Sequence, residues 1–143
     1  MEPIHYKAET FTDERGQLSF FNDLNLEKFK RIYFITHNNT KVIRAWQGHK
    51  NEAKLFKVIN GVFVLAYVKL DNLTNPSYNL TAKHIVLEAN KNEFLYVPPG
   101  YANGLKALEK NSTLQVCSTL KLEDSLKDKV RFEPNQWFDW TKY

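Results

Sequence analysis

The sequence predicts an all-β protein that folds as a jelly roll or a small barrel, and three observations favour this. Aromatic residues make up 14% of the 143 residues, which is more typical of strands than of helix bundles. Apolar runs and turn residues follow one another closely enough for about nine or ten short strands. Asn60 and Gly61 separate two apolar runs, and this dipeptide favours a hairpin because both positions tolerate a positive φ.

The alternation of polar and apolar residues, together with the residues that end strands, predicts the individual elements. Strands are predicted over residues 4–11, 17–21, 29–36, 41–46, 54–59, 62–70, 79–87, 93–97, 105–108 and 112–119. Pro98 and Pro99 end the eighth strand because proline has no N–H to donate. Residues 22–28 and 122–129 are polar and predict short helical segments. Residues 47–53 predict a polar turn, and the aromatic residues at 131–140 are expected to pack on the barrel or in an interface, or else to stack on a base or sugar.

Length, charge and cysteine content narrow the possibilities. Residues 1–143 predict one domain that is large enough for a real core. Cys117 is the single cysteine, so an intrachain disulfide is excluded and a buried, inert thiol is expected. The net charge of +4 comes from scattered lysines with acids between them, and no nucleic-acid motif accompanies them. No signal peptide or membrane-spanning run is recognised, and a cytoplasmic location is expected.

Two segments place polar groups inside stretches that otherwise predict buried strands. Residues 42–50 read VIRAWQGHK, and residues 94–104 read FLYVPPGYANG. A strand, a polar cluster, a hairpin and then a Pro-Pro-Gly closure is the layout of a barrel with a site in its mouth. The layout predicts where a ligand binds and leaves the reaction open.

The same segments resemble a known family. Residues 13–16 (DERG), 42–46 (VIRAW), 54–58 (KLFKV) and 95–104 (LYVPPGYANG) occur in the order and spacing of the dTDP-4-dehydrorhamnose 3,5-epimerases, which are cupins. Residues 30–35 (KRIYFI) and the His49-Lys50 pair resemble the related dTDP-4-keto-6-deoxyhexose 3,4-ketoisomerases. The resemblance extends over roughly residues 11–140. It implies a cupin, that is, a double-stranded β-helix or jelly-roll barrel, over the single domain.

The resemblance also implies a function. The expected enzyme is an isomerase or epimerase of a dTDP-linked 4-keto-6-deoxy sugar, acting in deoxysugar and polysaccharide biosynthesis. Its reaction removes a proton next to a ketone and returns it at a new face or carbon. Such chemistry needs a base within hydrogen-bond reach and a donor where enolate charge develops. The expected partner is a small nucleotide-sugar substrate, and neither a membrane nor a nucleic acid is expected.

Several residues match the positions that the family uses. Arg44 and Arg15 match family arginines and are predicted to bind the phosphates, because a guanidinium binds phosphate bidentately. Lys54 matches a lysine that lies near the sugar and is predicted to stabilise an enolate. The alternatives without a role in the site are a turn residue for Arg15, a strand-edge charge for Arg44 and a solvated strand-end lysine for Lys54.

The sequence departs from the family at the positions that would supply the catalytic base. The epimerases have histidine where this chain has Gln47, and the ketoisomerases have two histidines, of which only His49 survives. We therefore predict His49 as the base, with Gln47 orienting the ketone; the alternative is a partly exposed turn histidine. Asn103 also stands where the epimerases have histidine. Asn103, Tyr101 and Tyr96 are predicted to bind substrate, although packing is the commoner role of strand tyrosines.

Other readings stay open beside the enzyme. The missing histidines motivate a non-catalytic nucleotide-sugar-binding cupin, and a third possibility is a protein-interaction cupin with a vestigial pocket. No metal or cofactor is predicted, because His49 lacks a second histidine at the two-residue spacing typical of metal cupins. A homodimer is expected from the resemblance, with the strand before Asp13 as a plausible exchanged element.

Overall fold

The computed structural model describes all residues from Met1 to Tyr143, and they form a barrel of antiparallel strands. The strands are β1 (Ile4–Lys7), β2 (Glu9–Asp13), β3 (Gly16–Phe20), β4 (Arg31–His37), β5 (Ile43–His49), β6 (Lys54–Asn60), β7 (Val62–Lys69), β8 (Lys83–Glu88), β9 (Glu93–Val97), β10 (Tyr101–Ala107), β11 (Ser112–Ser118) and β12 (Lys129–Arg131). One α-helix, α1 (Leu122–Asp128), and two short 3-10 turns, Ala89–Lys91 and Trp140–Lys142, complete the chain.

Two five-stranded sheets build the barrel. One has the order β1-β9-β6-β11-β4, and the other has the order β12-β5-β10-β7-β8. Strands β2 and β3 form a separate hairpin. The all-β jelly-roll barrel predicted from the sequence is confirmed. No helix of the protein is both long and apolar enough to cross a membrane.

The Asn-Gly hairpin between β6 and β7 forms as predicted. Gly61 has a φ of +74°, which L side chains rarely adopt. A Cβ at this position would also lie 2.1 Å from Ser112 Oγ. The same hydroxyl accepts a hydrogen bond from the Val62 N–H at 3.1 Å. Conformation and close packing therefore both require glycine in this turn.

The core is divided between the two faces of β7. Phe63 and Leu65 belong to the larger cluster between the sheets, whereas Val64 and Ala66 belong to a second cluster with Trp46 and Trp140. This second cluster exists because the C-terminal aromatic segment covers the outer face of the β12-containing sheet. The expectation that residues 131–140 pack on the barrel is thus confirmed.

Several predicted elements were wrong in type or extent. Residues 22–28 form bends and turns instead of a helical segment, and the Asn25 side chain accepts a hydrogen bond from the Glu27 N–H, which satisfies that group locally. Strand β5 continues to His49, where a turn was expected, because β10 and β12 pair with it on both sides. Strand β10 begins at Tyr101 rather than at residue 105, and Ala8 separates β1 from β2.

Candidate active site

A cavity of about 420 Å³ opens between the two sheets and has the size of a small-molecule site. Its wall is built from β4, β5, β6, β10 and β12. Twelve residues line it: Tyr33, Ile35, Ile43, Arg44, Ala45, Trp46, Gln47, Lys54, Phe56, Asn103, Leu105 and Arg131. This cavity is the candidate for the site predicted at the mouth of the barrel.

A β-bulge places two of the predicted site residues on the same wall. Asn103 pairs with Gln47, but Leu105 pairs with Arg44, so two residues of β5 lie opposite the single Gly104. In a regular strand, residues three apart point to opposite faces. The extra residue lets both Arg44 and Gln47 line the cavity.

Gly104 makes this bulge possible through close packing. A Cβ at position 104 would lie 2.7 Å from the Cβ of Ala45 and 2.7 Å from the Trp140 ring. The Trp46 indole N–H in turn donates a hydrogen bond to the Gln136 carbonyl. The C-terminal segment thus braces the part of β5 that carries Arg44 and Gln47.

Lys54 is buried at the start of β6 and points into the cavity wall. Lys54 is only 5% exposed, and its Nζ donates a hydrogen bond to Gln47 Oε1 at 3.1 Å. Burial lowers the pKa of Lys54 to about 8; Glu52 opposes this shift, whereas the cations of Arg31, Lys129 and Arg44 add to it. A measurable fraction of Lys54 is therefore a neutral amine near neutral pH.

Glu52 lies at the centre of a buried polar network behind this wall. Its Oε1 accepts hydrogen bonds from the Ser118 hydroxyl and from Arg31 Nη2, the latter at 3.3 Å. Its Oε2 accepts a hydrogen bond from the Ser125 hydroxyl at 3.0 Å. Burial alone would raise the pKa of Glu52, but the neighbouring His49, Lys54 and Ser118 outweigh it and hold the pKa at about 2. Glu52 is therefore a permanent anion at physiological pH.

His49 belongs to this network and is 2% exposed, so the reading as an exposed turn histidine is wrong. Its Nδ1 lies 2.8 Å from Glu52 Oε2 and 3.7 Å from Asp128 Oδ2, at the end of α1. Asp128 also accepts hydrogen bonds from the backbone N–H groups of Asn51 and Glu52. Protein donors thus occupy the carboxylates of this cluster, which ties α1 to the loop between β5 and β6.

The cavity gathers four of the eight predicted site residues, namely Arg44, Gln47, Lys54 and Asn103. His49 does not line it. Arg15 lies on the exposed β2–β3 hairpin, where its Nη2 contacts Asp13 Oδ2 at 2.6 Å.

The two predicted tyrosines are also absent from the cavity wall. The Tyr101 hydroxyl donates to Glu2 Oε2 at 2.7 Å, and Tyr96 packs in a separate cluster with Ala53 and Leu55. The Nζ of Lys28 lies 4.0 Å from the centre of the Tyr96 ring. Both tyrosines thus have partners other than a ligand in the cavity.

Two polar wall residues were missed by the sequence reasoning. Tyr33 faces inward by strand alternation, but its neighbours Ile32 and Phe34 are also apolar, so the pattern did not reveal which face is inner. Burial raises the pKa of Tyr33 to about 12, which keeps its phenol protonated. Arg131 reaches the wall only because β12 pairs with β5, with Arg131 opposite Gln47.

The ionised groups of the wall are all basic. Arg44, Lys54 and Arg131 line the cavity, and its lining includes no Asp or Glu. Because field lines concentrate in a cleft with low-dielectric walls, such a cavity favours an anionic guest. The family model described as dTDP-4-dehydrorhamnose 3,5-epimerase matches residues 2–141.

The chain belongs to the dTDP-4-dehydrorhamnose 3,5-epimerase family.

Solved structures show the same cupin fold. The chain is 20% identical to the dTDP-4-dehydrorhamnose 3,5-epimerase from Elizabethkingia anophelis, with a TM-score of 0.78 over 96% of this chain and 80% of that one. The epimerase from Bacillus anthracis, with TDP and PPi bound, is 20% identical, with a TM-score of 0.75 over 93% and 79% of the two chains.

A ketoisomerase structure is also similar. The H51N mutant of the 3,4-ketoisomerase QdtA from Thermoanaerobacterium thermosaccharolyticum, in complex with TDP-4-keto-6-deoxyglucose, is 19% identical, with a TM-score of 0.70 over 92% and 88% of the two chains. No curated protein sequence matches the chain. Membership of the epimerase family confirms the prediction of an enzyme of the nucleotide-sugar epimerase or ketoisomerase kind.

Proposed function

We propose that this member of the epimerase family isomerises or epimerises a dTDP-linked 4-keto-6-deoxy sugar by removing a proton next to the ketone. The observation that carries the proposal is the basic cavity in which Arg44, Gln47, Lys54 and Asn103 meet. Its volume and charge suit a guest with a sugar and a phosphate. The complexes of the Bacillus anthracis epimerase with TDP and of the QdtA mutant with TDP-4-keto-6-deoxyglucose support the choice of ligand.

Arg44 and Arg131 are the proposed diphosphate ligands. Both line the cavity, and neither forms an ion pair with an acidic side chain. Guanidinium groups without a protein anion retain their donors for phosphate oxygens. Arg131 also borders a second hollow formed by residues 74–78 and 132–136, so it lies where an extended nucleotide would leave the barrel.

Lys54, Gln47 and Tyr33 are proposed to surround the ketone. As an ammonium, Lys54 stabilises the negative charge that develops on the ketone oxygen. Tyr33 is a protonated donor on the same wall, and Gln47 holds the Lys54 amine in position through their hydrogen bond. Asn103, paired with Gln47 across β5 and β10, is the proposed hydrogen-bonding partner of the sugar.

The reaction also needs a base, and the structure offers two candidates. His49 is the base predicted from the sequence; its Nε2 is buried without a hydrogen-bond partner, and its Nδ1 lies beside Glu52. Lys54 is the second candidate and, unlike His49, lines the cavity.

Proton exchange tests the proposed function directly. The protein should incorporate deuterium beside the ketone when it is incubated with TDP-4-keto-6-deoxyglucose in deuterium oxide, as followed by NMR. Denatured protein is the control for uncatalysed exchange. Wild-type protein that binds TDP in a thermal-shift assay but never accelerates exchange would refute the proposed reaction.

A non-catalytic nucleotide-sugar-binding protein is the second candidate function. It is favoured by Gln47 and Asn103, which stand where the resemblance places histidines. This alternative predicts thermal stabilisation by TDP, because a ligand that binds only the folded state shifts the unfolding equilibrium. It also predicts no proton exchange, so the two candidates separate in the same pair of measurements.

A homodimer in the cytoplasm, serving deoxysugar and polysaccharide biosynthesis, completes the proposal. Phe11 and Leu18 are 56% and 61% exposed on the β2–β3 hairpin that also carries Arg15. Exposed apolar side chains on a projecting hairpin suit a contact with a second copy. Light scattering after size exclusion should give twice the monomer mass, and Phe11→Ser with Leu18→Ser should reduce it. A monomeric wild-type protein would refute the dimer.

A further inference from the structure

We infer that Lys54 is the general base of this enzyme: its neutral amine removes the proton next to the ketone. The inference rests on the proposed function, because it assigns a role within that reaction. It goes beyond the predicted role of Lys54 as a cation beside the enolate. The geometry of the cavity wall points to it.

Lys54 supplies the basic group that the sequence lacks at position 47. An amide has no basic lone pair at neutral pH, so Gln47 cannot accept the proton where the resemblance places a histidine. Lys54 Nζ lies 3.1 Å from Gln47 Oε1, so the amine occupies the immediate neighbourhood of that side-chain end. A basic nitrogen is thereby restored to the same place from the adjoining sheet.

The cavity lining leaves little choice of base. Among its twelve residues, the titratable side chains are Tyr33, Arg44, Lys54 and Arg131. Arginine does not lose its proton in proteins. Burial raises the pKa of Tyr33 to about 12, so its phenol acts as a donor. Lys54 is the one group on the wall that can exchange a proton near neutral pH.

The surroundings of Lys54 favour its neutral form. Its residue is 5% exposed, and removal from water disfavours an ammonium ion. The charged groups that act on it are Glu52 before β6, Arg31 on β4, Arg44 on β5 and Lys129 on β12. Three of these four are cations, and Glu52 is itself shared with Arg31, His49 and two serine hydroxyls. The pKa of Lys54 is accordingly lowered to about 8.

His49 is worse placed for the same task. Its imidazole is enclosed by Glu52 and Asp128 and does not line the cavity. A base must come within about 3.2 Å of the proton's carbon or reach it through one water. For His49 this requires that the buried network move, whereas Lys54 already lies on the wall.

The proposed step conserves atoms and charge. The Lys54 amine takes the proton from the carbon next to the ketone and becomes an ammonium. The electron pair of the broken C–H bond forms the C=C bond, and the ketone oxygen becomes an enolate oxygen that the new ammonium and Tyr33 stabilise. Protonation of that carbon from the opposite face by a water molecule, with release of the Lys54 proton to solvent, epimerises the carbon. Proton transfer between the two oxygens, followed by protonation of the former ketone carbon, moves the ketone instead.

A lysine-to-arginine replacement separates charge from basicity. Lys54→Arg keeps a cation but removes the titratable amine, so we expect deuterium incorporation into TDP-4-keto-6-deoxyglucose to slow by about 100-fold or more. Lys110→Arg, on the exposed turn between β10 and β11, is the matched control and should exchange like wild type. Far-UV circular dichroism and TDP binding establish that each variant is folded.

Chemical rescue provides the positive test. In Lys54→Ala, a small primary amine such as ethylamine should restore exchange, and the rescued rate should rise with the basicity of the amine. The pH profile of wild-type exchange should rise to a plateau with a midpoint near 8.

Failure of the Lys54 inference and failure of the proposed function give different results. Exchange that survives Lys54→Arg and is abolished by His49→Asn would overturn the inference and leave the proposed function intact. Exchange by Lys54→Ala that proceeds at the wild-type rate without added amine would also overturn it. Wild-type protein that shows no exchange at all would instead refute the proposed function.

Discussion

Lys54 Nζ donates a hydrogen bond to Gln47 Oε1 at 3.1 Å, across the seam between the two sheets. The two residues are seven positions apart, on strands that do not pair with each other. Their contact joins the residue that departs most clearly from the family pattern to the one basic wall residue that can titrate near neutral pH. The hydrogen bond therefore holds the amine in position on the cavity wall.

Gln47→Glu should change the pH dependence of proton exchange. A carboxylate beside Lys54 stabilises the ammonium and raises its pKa, so a smaller fraction of amine is available at neutral pH. We expect slower exchange at pH 7 and a midpoint shifted above 8, measured by deuterium incorporation across pH. Gln47→Met, which adds no charge, serves as the control. An unchanged midpoint in Gln47→Glu would show that Lys54 does not govern the reaction.

Arg44→Met should weaken TDP binding. A hydrogen bond from a charged donor contributes about 1.5–3 kcal/mol, which corresponds to roughly 10- to 150-fold in the dissociation constant. Isothermal titration calorimetry at fixed salt measures the change. Lys110→Met removes an exposed positive charge outside the cavity and controls for net charge. Equal affinities for wild type and Arg44→Met would remove Arg44 from the phosphate site.

His37→Phe should flatten the loss of stability at mildly acidic pH. Burial, with a further contribution from Arg44, holds the pKa of His37 below 6.5 in the folded protein, and both ring nitrogens lack a hydrogen-bond partner. The unfolded chain therefore binds the proton more readily, and stability is lost as the pH falls from 6.5 through the folded pKa. Phenylalanine suits this site, because the His37 ring already packs against Phe63 with centroids 5.5 Å apart.

Denaturant unfolding at pH 7 and pH 5 measures the effect of His37→Phe. Wild type should lose more free energy of unfolding between these values than the variant does. Glu52 titrates in a separate window, because its pKa of about 2 lies below the ordinary 4.5 and its contribution is lost only as the pH falls below 4.5. Parallel losses in both proteins would exclude His37 as the source.

Gly104→Ala should destabilise the protein and disturb the phosphate site together. The new methyl group would meet Ala45 and Trp140 at 2.7 Å, and overpacking of this kind costs about 1–3 kcal/mol. Because Gly104 lies opposite the bulge, relief of the clash should also displace Arg44 and weaken TDP binding. Urea unfolding and calorimetry measure the two effects. Stability within about 0.5 kcal/mol of wild type would contradict the close packing described for this glycine.

Local signals accounted for much of the fold. The Asn-Gly hairpin formed as expected because Gly61 needs its positive φ whatever surrounds it. Alternation located β4, but it did not identify the inner face, since Ile32 and Phe34 are exposed and apolar. The polar residues 47–49 predict a turn on local grounds, whereas their pairing with β10 and β12 involves residues that lie more than fifty positions further along the chain.

The all-β barrel, the family and two of the segments that line the cavity were predictable from the sequence alone. Which polar side chains meet in that cavity depended on the tertiary structure. The bulge opposite Gly104 turned Arg44 inward, the pairing of β12 brought in Arg131, and burial behind Glu52 kept His49 off the wall. These outcomes depend on the register between distant strands and on desolvation inside the closed barrel, and neither property is encoded in the local pattern of residues.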